Sequence, residues 1–238
     1  ALLAPLALAA FLTVPAIAQD QSARPTMAIQ GHGEVTASPD TAFVNSGVTT
    51  QANTAREALD ANTAAMSELI ATLTGAGIER RDIQTSGFSV QPNYVYSDGR
   101  DANGYGLPPK INGYTVSNNV TVRVRALDTL GAILDQSVTV GANTINGISF
   151  AVADPTDLYD EARKLAFADA QRKAKLYAGA AGVELKSIRA ISEQSYGQPQ
   201  PYMMRERAVA MDASAPVPVE AGELTFAIDV SVTWEIGS

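Results

Sequence analysis

Leu224-Thr225-Phe226-Ala227-Ile228-Asp229-Val230-Ser231-Val232-Thr233-Trp234-Glu235-Ile236 alternates side chains with the period of an extended strand. Successive residues of a strand point to opposite faces. Leu224, Phe226, Ile228, Val230, Val232, Trp234 and Ile236 therefore read as inward, and Thr225, Asp229, Ser231, Thr233 and Glu235 as outward. One dry face and one wet face belong to an antiparallel sheet covered on a single side. Ile111 to Arg125 repeats the pattern. Tyr114, Val116, Val120, Val122 and Val124 face one way, and Thr115, Ser117, Asn119, Thr121, Arg123 and Arg125 the other.

Further strands read outward from these two. Met27–Val35, Thr41–Gln51, Asp82–Tyr96, Ile145–Ala153 and Val183–Tyr196 carry strand patterns, bounded by turn residues such as Ser38-Pro39-Asp40. The apolar register of Asp82–Tyr96 shifts at Thr85-Ser86-Gly87, which predicts a bulge. Ser97–Lys110, rich in Gly, Asp and Pro, reads as the exposed tip of a hairpin.

Three helices intervene. Thr54-Ala55-Arg56-Glu57 has capping-box spacing, and Ala58, Asn62, Ala65, Leu69 and Leu73 then mark one helical face, ended by Gly75 and Gly77. Asn62 in that stripe reads as a packing polar residue. A shorter helix covers Leu127–Val138. The longest is expected to start with Asp154 as N-cap and Pro155 in the first helical position, and Gly182 to follow its end. Ala162, Ala166, Ala170, Ala174 and Ala178 repeat every fourth residue, a small-residue stripe that lets this helix lie close to its neighbour. The class is α+β, mainly antiparallel sheets with one long Ala-rich helix and two shorter helices packed on them. Two lobes are expected, 19–126 and 127–238, although the first and last strands could pair across that division.

The 238 residues hold no cysteine, which excludes disulfides, thiolate metal sites and cysteine nucleophiles. A formal charge of −8 argues against a nucleic-acid partner. Ala1–Leu12 is uncharged and apolar, and Ala16-Ile17-Ala18 supplies a small-x-small cleavage site. Residues 1–18 are expected to be a secretory signal peptide, with the mature chain in the periplasm.

Chemistry-bearing motifs are sparse. Gly31-x-Gly33 lacks the third glycine of a dinucleotide fingerprint, because Thr36 stands there, and reads as a place of close backbone approach or a bulge. His32 is the only histidine, so no multi-histidine zinc site can form. Asp154, Asp157, Asp160 and Glu161 lack the spacing of a calcium loop and suit a helix start. No cofactor, metal or catalytic residue is assigned, and the chain reads as non-enzymatic.

Gly31-His32-Gly33-Glu34-Val35 with Ser38-Pro39-Asp40-Thr41-Ala42, Gly77-Ile78 before Asp82-Ile83-Gln84-Thr85, Ile111-Asn112-Gly113-Tyr114-Thr115-Val116-Ser117-Asn118, Gly147-Ile148-Ser149-Phe150, Ala162-Arg163, Lys173-Ala174, Tyr177-Ala178 and Gly222-Glu223 stand in an informative order. This ordered set resembles the SIMPL-domain family of bacterial envelope proteins. The resemblance implies a periplasmic or outer-membrane-associated protein without known catalytic activity, linked to envelope or oxidative stress. It also implies homo-oligomers, some ring- or channel-like, and supplies no catalytic residues.

For self-association the residues nominate two segments. Tyr94, Tyr96, Tyr105 and Leu107 lie around the hairpin tip, and Tyr202, Met203, Met204, Arg205, Arg207 and Met211 follow later. Tyr, Met and Arg are enriched where proteins touch. The alternative is a binding module that holds a small apolar ligand or peptide between the sheet and the Ala-rich helix.

Overall fold

The computed structural model describes residues 24–195, 200–202 and 217–237; the expected signal peptide lies outside them. In chain order the elements are β1 (Thr26–Ala37), β2 (Thr41–Ala52), α1 (Ala55–Gly75), β3 (Ile83–Val95), β4 (Lys110–Val124), α2 (Leu130–Thr139), β5 (Thr144–Ala151), α3 (Thr156–Ala181), β6 (Glu184–Ser195), β7 (Gln200–Tyr202) and β8 (Glu223–Gly237). Single 3₁₀ turns at Arg80–Asp82 and Leu127–Thr129 precede β3 and α2. The α+β class holds, and every strand pairing is antiparallel.

The described residues form two sheets. One runs β1-β8-β6, with β7 also on β8; the other runs β3-β4-β2-β5. The sheets do not follow the expected division at residue 126. β1 pairs along its length with β8 at the far end of the chain, and β5 pairs with β2. Long-range strand pairing, not sequence proximity, decides which elements share a core.

In the β3-β4-β2-β5 sheet, α1 and α2 cover one face. Leu69 and Leu73 of α1 with Leu130 and Leu134 of α2 pack on Val44, Val48, Val120, Val122 and Val124. Thr54 and Glu57 form the expected capping box, each side chain accepting from the other's backbone N–H at 3.2 Å. Asn62 is buried, and its Nδ2 donates to the carbonyls of Val48 at 2.8 Å and Val116 at 3.2 Å. It thus ties the helix to two strands at once through a nitrogen that burial would otherwise penalise, while its Oδ1 is buried without a partner among the described residues. The bulge falls at Thr85/Gly87, as the register shift implied.

In the other sheet the alanine stripe of α3 lies on Ile228, Val230, Val232 and Trp234. The approach over β1 is closer still. A Cβ on Gly31 would lie 2.0 Å from the Ala166 carbonyl oxygen, and one on Gly33 2.2 Å from that of Ala162. The glycine pair and the alanine stripe are two halves of one contact, helix backbone on strand backbone. That contact leaves no groove over β1 for a ligand.

The start of α3 differs from expectation by one residue. Pro155 is the N-cap and Thr156 the first helical residue. The Asp154 carboxylate still caps, accepting from Thr156 N at 3.1 Å and from its hydroxyl at 2.6 Å. Proline at position 155 supplies the first carbonyl acceptor, bonded by Tyr159 N–H at 3.0 Å. Gly182 ends the helix at φ 68°, as glycine beyond a helix end is suited to do. Among the described residues, no helix is long and apolar enough to cross a membrane, which says nothing of a β-barrel.

Candidate functional site

Apolar surface is concentrated on the β3–β4 hairpin. β2 accompanies β4 only as far as the Ala52–Tyr114 pair. Beyond it Lys110–Gly113 pairs with β3 alone, so the end of the hairpin stands clear of the sheet as a two-stranded arm. The tip folds back on itself. Arg100 and Gly106 form a bridge, and Asp101 Oδ1 accepts from the Asn103 and Tyr105 N–H groups, both at 2.9 Å. Leu107 N–H closes on the Gly99 carbonyl at 3.0 Å.

Tyr96 is 78% exposed and Tyr105 72%, with Tyr94 and Leu107 exposed beside them. Four of the residues nominated from sequence therefore share one arm. Tyr202 lies in β7 opposite Glu223; Met203, Met204, Arg205, Arg207 and Met211 fall outside the described residues. The sequence reading missed Phe88, Val90, Val95 and Ile111, which are exposed on the same hairpin. Phe88 and Val90 pair with Asn118 and Val116. Their alternation was visible, but that α1 leaves this part of β3 uncovered was not.

Edge strands β1 and β3 are treated differently. At β1, Asp169 of α3 accepts from the His32 N–H at 3.1 Å, and Lys173 donates to the Gln30 carbonyl at 3.1 Å. Helix side chains thus occupy backbone groups that an added strand would need. Lys173, the His32 N–H and Arg172 hold the Asp169 carboxyl far below the usual carboxylate range. Edge strand β3 carries no such cover among the described residues, and Pro92 removes one donor from it.

His32 is half-exposed on the face of its sheet away from α3. Its Nδ1 lies 2.7 Å from Asp229 Oδ1, and its Nε2 lies 3.6 Å from Glu34 Oε2. The Asp229 hydrogen bond raises its pKa above 6.5 against the opposing effect of burial, with Glu34 adding to the rise. No nucleophile joins the pair among the described hydrogen bonds. The carboxylates at the start of α3 disperse into ion pairs, Asp160 with Arg163 at 2.8 Å and Glu161 with Lys164 at 3.2 Å. Arg163 also grips Glu193 of β6 at 2.9 Å and lowers its pKa. Among the described residues, no group of three or more His, Asp or Glu could hold a metal ion.

The open face of the other sheet has a separate character. Register places Ser149, Phe43 and Arg123 in one cross-strand row, and Asn45, Thr121 and Gln84 in the next. Two depressions, of about 290 and about 160 Å³, share Phe43 and Thr121. The Arg123 guanidinium sits 5.8 Å from the centre of the Phe43 ring. Nearby Asp82 is taken by Arg125, at 3.0 and 2.8 Å, which lowers the Asp82 pKa.

The SIMPL family model, described as a protein of unknown function (DUF541), matches residues 27–234. The chain belongs to the SIMPL family. Its relatives include the 26 kDa periplasmic immunogenic proteins of Brucella melitensis and Brucella abortus. Each is 44% identical over 232 residues, covering 94% of this chain and 91% of the relative. The uncharacterized protein YggE of Escherichia coli is 28% identical over 235 residues, covering 97% and 92%. SIMPL membership thus spans both sheets and the hairpin arm between β3 and β4.

Proposed function

We propose that this SIMPL protein is an exported, non-catalytic component of the periplasm that associates with copies of itself through the β3–β4 arm, in an envelope or oxidative-stress role. The apolar tip of the arm carries the reading. Tyr94, Tyr96, Tyr105, Leu107 and Ile111 are all exposed along one projecting element. Contiguous apolar surface of this kind marks contact sites on soluble proteins, and tyrosine supplies large contact area at low entropic cost.

The location follows the relatives, two of which are named periplasmic, together with the signal-like residues 1–18. A loose association with the outer membrane is compatible with this placement. An apolar ligand seated between sheet and Ala-rich helix finds no support over β1, where backbone meets backbone. Sedimentation velocity of the chain without residues 1–18 tests the proposal. Association at tens of micromolar is expected, and a monomer throughout that range would reject it.

A further inference from the structure

The open face of the β3-β4-β2-β5 sheet is polar to an unusual degree. Below the rows of Ser149–Phe43–Arg123 and Asn45–Thr121–Gln84 come Gly47–Asn119–Gly87, then Thr49–Ser117–Ser89, then Gln51–Thr115–Gln91. Arg123 is the one charge in these five rows and Phe43 the one large apolar side chain. The middle row is flat for a physical reason. A Cβ on Gly47 would meet Asn119 Oδ1 at 2.1 Å, and one on Gly87 would meet Asn119 Nδ2 at 3.4 Å, so the Asn119 amide lies across both glycines. Hydroxyls link neighbouring strands, Thr49 Oγ1 to Ser117 Oγ at 2.9 Å.

Such a face offers a protein partner little apolar area to bury, yet it presents many hydrogen-bond donors and acceptors. At its upper end the chemistry changes sign. In a chain of net charge −8, Arg123 has no carboxylate partner among the described residues, and its buried Nε has no hydrogen bond there. The neighbouring carboxylate, Asp82, is already held by Arg125 through both oxygens. The Asn45 Oδ1 is likewise buried without a partner among the described residues; Asn45 lines the larger depression and Arg123 the smaller one, and the two depressions meet at Phe43 and Thr121. Arg81, Asp82 and Gln84 line the smaller depression together with Arg123, the Arg81 guanidinium being paired with Glu79 at 2.9 Å.

We infer that the Phe43–Arg123 end of this face is a binding site for a saccharide that carries a negative charge, either a carboxylate or a phosphate. The anion pairs with the Arg123 guanidinium, which suits the planar oxygens of both groups. The sugar hydroxyls exchange hydrogen bonds with Asn45, Thr121 and Gln84, and the apolar edge of the ring rests on Phe43. This site is on a different surface from the arm tip and stands or falls separately from self-association.

The test is amide chemical-shift mapping of the ¹⁵N-labelled chain with glucuronate, glucose 6-phosphate, glucose and acetate. Glucuronate or glucose 6-phosphate should shift Asn45, Thr121 and Gln84 with saturation in the millimolar range, at least roughly 10-fold tighter than glucose or acetate. Which anion prevails separates a sugar acid from a sugar phosphate. Arg123→Gln should weaken that binding at least roughly 10-fold, and Phe43→Leu serves as a second variant should the first lose its fold. No shift at these residues with either anionic sugar would overturn the inference. So would equal binding of acetate, or an Arg123→Gln change that alters sedimentation without affecting sugar binding, which would assign the face to a second copy.

Discussion

Replacing Gly31 by alanine should be far more damaging than a single methyl group suggests. The added Cβ would lie 2.0 Å from the Ala166 carbonyl oxygen, 2.5 Å from the Ala170 nitrogen and 2.7 Å from the Ala170 Cβ. The first two are helix backbone and cannot rotate aside. Restoring an ordinary 3.4 Å contact requires α3 to retreat from β1 by about 1.4 Å, the difference between the two distances. That movement would loosen Ala162, Ala166 and Ala170 together and stretch the Asp169 and Lys173 bonds to the β1 edge. Overpacking of this kind costs about 3 kcal/mol, the upper part of its usual range, because backbone is what must move. For a chain of this size the loss lowers the melting temperature by roughly 6–12 °C. Gly179→Ala is the control, since a Cβ there meets nothing within 4 Å in the same helix. It should stabilise by about 0.5–1 kcal/mol through helix propensity. Calorimetry of both variants reads the result. A Gly31→Ala protein that melts with the parent would refute the backbone-on-backbone contact, whatever Gly179→Ala does.

Three further outcomes are expected. Trp234→Ala, at a site only 4% exposed, should cost about 3–5 kcal/mol in urea unfolding; a loss under about 1 kcal/mol would mean that β8 does not face α3. Asn62→Ala should cost about 2 kcal/mol, by removing two buried hydrogen bonds to Val48 and Val116, and an unchanged urea midpoint would show that the amide ties nothing. In an NMR titration His32 should lose its proton above pH 6.5, and Asp229→Asn should bring that midpoint down. Because the folded pKa is raised, the His32 contribution to stability is complete below pH 6.5 and fades as pH rises through the folded value. A His32 midpoint unaffected by Asp229→Asn would place the ring elsewhere.

Much of the fold was legible because its signals are local. The β8 alternation, the Thr54–Glu57 capping box, the Thr85/Gly87 bulge and Gly182 each depend on residues within a turn or a strand. What was not legible depends on register between distant segments. His32 and Asp229 meet because β1 and β8 pair across almost the whole chain, and nothing near either residue announces the other. Phe43 and Arg123 become neighbours the same way, through the β2–β4 ladder. Gly31 and Gly33 were legible as a close approach or a bulge, and the choice between them rests on the alanine stripe of α3 that lies on them. The pairing of β5 with β2 escaped for the same reason, whereas pairing of the first and last strands is a possibility the sequence leaves open. The apolar arm was half legible. Tyrosines in a Gly- and Pro-rich tip stand out, whereas the exposure of Phe88 and Val90 depends on where α1 ends over β3.

Contact between copies through the hairpin can be probed by sedimentation of a variant with Tyr94, Tyr96 and Tyr105 all changed to serine, alongside the parent. Each central tyrosine removed should weaken association by about 2 kcal/mol, roughly 30-fold. The variant should therefore run as a monomer at concentrations where the parent is assembled, with the same melting temperature. Parent and variant assembling alike would contradict the account, and would move the contact to another surface of the molecule.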